Sequence, residues 1–228
     1  MSWPTRNRMA KKTVLIGLPT SDGTANVMTV KRFLEPVDTF DVSHITVESH
    51  LLGAFNKCWG AAITNYKMLG LDYFALIHSD IVPEENWLQK MVTELESNKL
   101  DILSVVAPIK SPDGLTSTVV EENGSLRNLT LNELQGIGTF THFESKQVLV
   151  NTGLLLVKMG DWIEDVVFRM ESTMKEDGTI SVLSEDYAFS KDCLAKDLKI
   201  GATMKVELYH DKPFFSNLVA KNNNYVDT

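Results

Sequence analysis

Cysteine is scarce in this sequence, and its spacing excludes two classes of small protein. Among 228 residues only Cys58 and Cys193 are cysteines, and they lie far apart with no CxxC pair. Neither a disulfide framework nor a zinc ribbon can be built from two such residues. A reducing, cytoplasmic location is therefore expected.

Positive charge is also in short supply. The chain has 22 Lys and Arg residues against 30 Asp and Glu, which gives a formal net charge of -8. A protein that grips long stretches of phosphate backbone needs clustered Lys and Arg. Nucleic acid is therefore not the first partner to consider.

Long apolar runs are absent as well. No stretch approaches the roughly 18 apolar residues of a membrane span, and residues 1–12 are basic without the apolar segment of a signal peptide. The sequence predicts no membrane span. Because 43% of the residues are hydrophobic, a full core can be buried. We expect one domain over residues 13–215, with tails at 1–12 and 216–228.

Short apolar runs and helical periodicity alternate along the first half of the chain. Strands are expected at 13–20, 44–47, 73–77 and 102–107. Helices are expected at 25–34, at 51–69 and from Pro83 onwards. This alternation predicts an α/β fold with a mostly parallel central sheet flanked by helices, which binds ligands at the carboxyl ends of its strands.

The pattern changes in the second half. Turn signals at 111–114 and 122–124 predict a small β excursion over 110–138. After it, the apolar runs at 148–158 and 200–209 predict strands. Helices are expected at 161–170 and at 184–196, the latter with Ser184 as its N-cap.

A carboxylate follows the strand predicted at 73–77, in the sequence His78-Ser79-Asp80. This segment resembles the DXD region of glycosyltransferases with the GT-A (Rossmann-like) fold, with His78 in place of the first acid. The resemblance implies that Asp80 holds a divalent metal, Mn²⁺ or Mg²⁺, which neutralises the diphosphate of a nucleotide-sugar donor, most simply a UDP-sugar. His78 then ligates the ion or contacts the ribose. Taken alone, Asp80 is equally explained as a cap of the following helix.

Other segments resemble the nucleotide-binding part of the same family. Pro19 and Thr20 end the first strand, Glu48 follows the second, and Asn56 lies on the helix that faces the base. With Ser79, these residues are implied as contacts of the nucleotide. Each also has an ordinary explanation as a turn, loop or core residue.

Ser184-Glu185-Asp186 resembles the Glu-Asp signature that begins the acceptor-side helix of the family. An inverting transferase needs a carboxylate within reach of the acceptor hydroxyl, to take up its proton. By this match Asp186 is the general base, and Glu185 orients the acceptor or the donor sugar. The same three residues also make a favourable helix N-terminus.

The resemblance extends to residues on both sides of the expected site. Trp87, Asn151 and Gly153 are expected to contact the sugar or the acceptor, and a glycine would let the backbone approach the ligand closely. His210 matches the position from which many members supply a last metal ligand. Lys212 is then placed to reach the diphosphate. The segment from His210 to Pro213 also resembles the ending of some retaining enzymes, so inversion and retention both stay open.

We therefore expect a metal-dependent glycosyltransferase that acts on a hydroxyl acceptor, either a saccharide or another small molecule. Residues 13–110 are expected to bind the nucleotide-sugar donor, and residues 111–215 to bind the acceptor. Two alternatives stay open: a non-catalytic binding module of this fold, and a virus-type enzyme that glycosylates modified DNA bases. A sugar-nucleotide pyrophosphorylase is disfavoured, because the loop at 18–24 has one Gly and no basic residue.

Overall fold

The structure is a computed structural model that describes residues 11–109, 113–175, 177–210 and 212–216, the last five as backbone alone. Its strands are β1 (Lys12–Thr20), β2 (Phe40–Glu48), β3 (Tyr73–Ile77), β4 (Ile81–Pro83), β5 (Ile102–Val105), β6 (Leu115–Glu122), β7 (Ser125–Thr130), β8 (Thr139–Phe140), β9 (His142–Phe143), β10 (Lys146–Leu149), β11 (Leu154–Lys158), β12 (Glu171–Met174), β13 (Ile180–Leu183), β14 (Ile200–Thr203), β15 (Leu208–His210) and β16 (Lys212–Ser216). Its helices are α1 (Val27–Phe33), α2 (Leu51–Leu69), α3 (Trp87–Ser97) and α4 (Glu185–Leu194), with a 3-10 turn at Asp161–Asp165. None of the described helices is long and apolar enough to cross a membrane.

Seven of the described strands form the central sheet, in the order β2-β1-β3-β11-β5-β14-β8. Strands β11 and β8 run antiparallel to their neighbours, so the other five share one direction. The prediction of an α/β fold with a mostly parallel central sheet is confirmed.

Helices cover both faces of this sheet because successive residues of a strand point to opposite sides. On β1, Leu15 belongs to the same apolar cluster as Phe55 of α2 and Phe189 of α4. Its neighbour Val14 belongs to the cluster on the other face, with Phe33 of α1 and residues of α3. The sheet is thus the middle of three layers, and the carboxyl ends of β1, β3 and β5 open at one edge.

Elements with a long pattern and a clear stop signal were predicted correctly. Helix α2 has the expected bounds and ends at Gly70, which adopts the left-handed conformation with φ of 69°. The β excursion is the β6–β7 hairpin, whose turn residues Asn123 and Gly124 both have positive φ.

The helix expected from Pro83 begins later, at Trp87. Pro83 instead ends the short strand β4, which pairs with β15. A proline is tolerated at such a strand end because it removes a hydrogen-bond donor only from the edge of the pairing. Asn86, with φ of 60°, then turns the chain into α3.

The helix expected over residues 161–170 is wrong beyond the 3-10 turn. Val166 and Phe168 are buried, while Val167 between them is 50% exposed, which is the alternation of an extended segment. Side chains of α2 replace the missing helical hydrogen bonds. Asn56 Nδ2 donates to the Phe168 carbonyl at 2.8 Å, and Asn56 Oδ1 accepts from the Phe168 amide at 3.0 Å. Trp59 Nε1 donates to the Val166 carbonyl at 2.8 Å.

The strands expected over 148–158 and 200–209 are each divided between two sheets. Strand β10 lies in the sheet β7-β6-β10-β9, whereas β11 lies in the central sheet. In the same way β14 is central, and β15 belongs to the sheet β16-β15-β4. A continuous apolar run does not reveal where a chain changes sheets. Residues 171–174 and 180–183, for which no element was predicted, form the antiparallel pair β12–β13, which is mostly exposed.

Candidate functional site

Asp80 and His210 lie side by side at the carboxyl edge of the central sheet. Asp80 follows β3, and the next residue, Ile81, pairs with His210 in the β4–β15 ladder. This register brings Asp80 Oδ2 to 3.3 Å from His210 Nε2. The two residues expected to bind metal, although far apart in the sequence, are therefore neighbours.

The His210 ring is oriented by the backbone. Its Nδ1 lies 2.7 Å from the Pro108 carbonyl oxygen, which can only accept a hydrogen bond. Nδ1 therefore carries a proton, and in the neutral ring Nε2 keeps the lone pair that a metal ligand needs. When the ring is protonated, the same Nε2 forms an ion pair with Asp80.

The separation of the two ligand atoms suits a small divalent ion. Adjacent ligands of an octahedral ion, at bond lengths of about 2 Å, lie roughly 3 Å apart, close to the observed 3.3 Å. Among the described residues no three His, Cys, Asp or Glu side chains are grouped to hold a metal. The remaining ligands would have to be substrate phosphate or water, which is usual for Mg²⁺ in phosphate-handling enzymes.

A hydrogen-bonded chain of three side chains connects the end of β3 with the start of α4. His78 Nε2 lies 3.1 Å from Thr152 Oγ1, and the Thr152 hydroxyl donates to Asp186 Oδ1 at 2.5 Å. When Asp186 is ionised, the single proton of the hydroxyl is used in this bond, so the Thr152 oxygen accepts from Nε2 of His78, which then carries the ring proton. Two predicted site residues are thus joined through Thr152, for which no pattern in the sequence predicts a role. Only the tertiary contacts single it out.

The surroundings of Asp186 favour its neutral form. Removal from solvent raises the pKa of the carboxyl to about 7, hydrogen bonds from Thr152 oppose the rise, and the neighbouring Glu185 adds to it. A carboxyl group with this pKa is a stronger base than an ordinary aspartate and is still partly ionised at neutral pH. These properties suit a general base.

His78 is uncharged at neutral pH. Burial lowers the pKa of its ring to about 4; Asp80 raises it, and His210 lowers it further. The ring packs against Phe55 with the centroids 5.0 Å apart. When Nε2 carries the proton, Nδ1 of the neutral ring can only accept a hydrogen bond or bind a metal.

Thr20 and Glu48 line one cavity at the ends of β1 and β2. The cavity has a volume of about 430 Å³ and lies beside α1, with apolar walls that include Leu18, Phe33 and Val47. Glu48 is exposed at the end of its strand. Apolar walls with a few polar groups are typical of small-molecule sites, and a carboxylate selects ligands that carry N–H or O–H groups.

Three residues expected to contact substrate are internal instead. Trp87 is 2% exposed, and its Nε1 donates to a backbone carbonyl of α1 at 3.1 Å. Asn151 is also 2% exposed; its side chain donates to a carbonyl of β5 at 3.1 Å and accepts from the Gly153 amide at 2.9 Å. A Cβ on Gly153 would lie 3.0 Å from Asn151 Oδ1. These residues shape the site from within and offer no surface to a ligand.

The other expected contacts are placed as follows. Asn56 is held by the backbone of the extended segment after the 3-10 turn, and Pro19 is buried in β1. The Ser79 carbonyl accepts from the backbone amide before α1 at 2.8 Å. Glu185 lies half-buried in the first turn of α4, after Ser184 at the N-cap, whose side chain makes no capping bond. Lys212 begins β16, but its side chain lies outside what the structure describes.

Comparison with known proteins establishes the fold. No protein-family model matches the chain, and no curated protein sequence is detectably similar to it. Among solved structures, A197 from STIV is similar with a TM-score of 0.52 and 16% identity, over 87% of this chain and 85% of that chain. At this identity the likeness shows a shared fold alone.

Two more distant structures were also found. One is UDP-glucose pyrophosphorylase complexed with UDP-glucose, with a TM-score of 0.41 and 10% identity over 88% of this chain and 93% of that chain. The other is S. aureus TarS 1–349, with a TM-score of 0.43 and 11% identity over 85% of this chain and 58% of that chain. Both are too distant to inform the function, which has to be argued from the site.

Proposed function

We propose that this protein is a metal-dependent glycosyltransferase that moves a sugar from a nucleotide-diphosphate-sugar donor to a hydroxyl acceptor, with inversion at the anomeric carbon. The pairing of Asp80 with His210 at 3.3 Å carries the proposal. It lies at the sheet edge where α/β folds of this kind bind their ligands. The network that ends in Asp186 begins at His78, two residues before Asp80.

On the donor side, Asp80 supplies a carboxylate oxygen and His210 an imidazole nitrogen to a divalent ion. When bound, the ion neutralises the charge that develops on the leaving diphosphate. A nitrogen ligand favours Mn²⁺ over Ca²⁺. Thr20 and Glu48 hold the nucleoside in the cavity beside α1, where a uracil ring, with an N–H that can donate to Glu48, makes a UDP-sugar a suitable donor.

On the acceptor side, Asp186 takes the proton of the hydroxyl group as its oxygen attacks the anomeric carbon. A bond forms between that oxygen and the carbon. The bond from the carbon to the diphosphate breaks, and its electron pair leaves with the diphosphate. A single displacement inverts the configuration, and Glu185 orients the acceptor from the same helix turn.

The acceptor is a saccharide or another small molecule; a modified DNA base fits the net charge of -8 less well.

Release of nucleoside diphosphate from a panel of UDP-glucose, UDP-N-acetylglucosamine and GDP-mannose tests the proposal. With Mn²⁺ present, slow hydrolysis of at least one donor is expected, and chelation should abolish it. Binding of a donor without hydrolysis or transfer would instead identify a non-catalytic module. Formation of UTP or GTP after addition of pyrophosphate would identify a pyrophosphorylase.

A further inference from the structure

Thr152 occupies a fixed position between the two halves of the proposed site. It is 1% exposed, and the residues around it are held by buried hydrogen bonds. Ser104 Oγ donates to the Asn151 carbonyl at 2.7 Å, and His78 N donates to the Gly153 carbonyl at 2.9 Å. The backbone on both sides of Thr152 therefore cannot move without disturbing these bonds, and the hydroxyl itself is held by its bonds to His78 and Asp186.

We propose that Thr152 is a positioning residue that couples the donor side of the site to the acceptor side. Its hydroxyl holds the Asp186 carboxylate through Oδ1 and, by accepting from Nε2, fixes the tautomer of His78. The catalytic consequence rests on the proposed function. The hydrogen-bond arrangement of Thr152 does not rest on the proposed function, and it can be tested in a protein that shows no enzymatic activity.

The coupling follows from the single proton of the hydroxyl. A bond from a hydroxyl to a carboxylate is stronger than one to a neutral carboxyl group. When Asp186 takes up the acceptor proton, the bond from Thr152 weakens, and the bond that Thr152 accepts from His78 changes with it. Proton transfer to Asp186 on the acceptor side therefore changes the hydrogen bond of the His78 ring, which follows β3.

Thr152→Val, Thr152→Ser and Thr118→Val test this assignment. Valine keeps the volume of threonine but can neither donate nor accept, whereas serine keeps the hydroxyl. Thr118 is a matched control, because it is a buried threonine whose hydroxyl makes no hydrogen bond in the structure described. If Thr152→Val does not fold, Thr152→Cys, with a much weaker donor, carries the same expectations.

The first measurement is nuclear magnetic resonance of the histidine side chains. The chain has five histidines, so the His78 signals are assigned by their loss in His78→Asn. At a pH well above 7, where Asp186 is ionised, we expect the parent, Thr152→Ser and Thr118→Val to show the Nε2-protonated tautomer with a slowly exchanging proton. Thr152→Val should lose that protection. An unchanged His78 spectrum in folded Thr152→Val overturns the proposal, whatever the activity.

The second measurement is the pH dependence of sugar transfer. The titratable groups that face Asp186 are Glu185 and Tyr187 on its own helix, and His78 through Thr152. Loss of the donor on Thr152 should move the acid limb of the profile up by about one pH unit in Thr152→Val, and serine should restore it. A parental profile in Thr152→Val overturns the catalytic role even if the His78 spectrum changes. If no sugar donor reacts with the parent protein, the proposed function fails. The His78 spectra then still test the hydrogen-bond arrangement of Thr152.

Discussion

Asp186 is the residue on which the proposed chemistry depends most. Asp186→Asn keeps the shape of the side chain and an oxygen that accepts from Thr152, but it cannot take up a proton. Transfer should fall by about 10²- to 10⁴-fold, and affinity for donor and metal should be retained because neither needs that proton. Steady-state rates and donor titrations measure both quantities.

Asp192→Asn is the matched control, because Asp192 lies on the same helix and pairs with Arg169 outside the network that ends in Asp186. It should transfer at the parental rate. The assignment of Asp186 fails if Asp186→Asn is fully active, or if its donor affinity falls in step with its rate. A product with retained anomeric configuration would also contradict it.

Asp186 should also make the stability of the fold depend on pH. Its folded-state pKa is raised from 3.8 to about 7, mainly by loss of solvent. Between these values the folded state binds more protons than the unfolded state, so the contribution of this group to stability falls as pH rises and is constant above about pH 7. Asp186→Asn should therefore match the parent near pH 4 and exceed its stability at pH 8, as measured by urea unfolding.

Asp177 provides a control of opposite sign. Hydrogen bonds from Thr179 lower the pKa of Asp177, so its contribution is present above its unfolded-state pKa and is lost as pH falls. Asp177→Asn should give no gain at pH 8. If Asp177→Asn gains as much stability at pH 8 as Asp186→Asn does, the raised pKa of Asp186 is not the cause of that gain.

At the level of elements, the segment after the 3-10 turn is extended because α2 supplies its hydrogen bonds. Asn56→Ala leaves the amide and carbonyl of Phe168 without the partners they have in the structure. We expect a loss of about 1–3 kcal/mol in the free energy of unfolding, measured with urea. Asn65→Ala, which removes one bond to a carbonyl within the same helix, should cost less. Equal losses of stability in Asn56→Ala and Asn65→Ala would show that the bonds from Asn56 do not hold the extended segment in place.

The same segment shows what local patterns can and cannot predict. Helix α2 and strand β3 were predicted with their correct bounds, because each has a long or clear pattern and Gly70 stops the helix. The extended conformation of Phe168 depends on Asn56, more than a hundred residues earlier, and no local signal reports such a partner. The breaks between β10 and β11 and between β14 and β15 likewise depend on which sheet each part joins.

The candidate site divides in a similar way. Asp80, His210 and Asp186 were singled out by a family resemblance, and the fold brings Asp80 and His210 together and links Asp186 to His78. The expectation for Trp87 ignored its position on the inner face of α3, where the ring is buried. Thr152 was missed because a threonine inside an apolar run carries no signal of its own.

At the scale of the whole molecule, the site exists because the sheet order gathers distant segments at one edge. Strand β3 delivers Asp80, and the pairing of β4 with β15 returns the chain to deliver His210. Both side chains reach one point only in the folded chain. Binding of a nucleotide and a metal at this point should therefore stabilise the whole domain by mass action.

Thermal unfolding with UDP or GDP, in Mn²⁺ or in chelator, tests this claim most directly. A nucleotide at 100 times its dissociation constant should add about 2.7 kcal/mol, which raises Tm by several degrees, and only when Mn²⁺ is present. Asp80→Asn and His210→Ala should lose the shift, whereas His142→Ala, an exposed histidine on β9, should keep it. A shift that persists in chelator or in both site variants, or no shift with either nucleotide in the parent, would contradict the account.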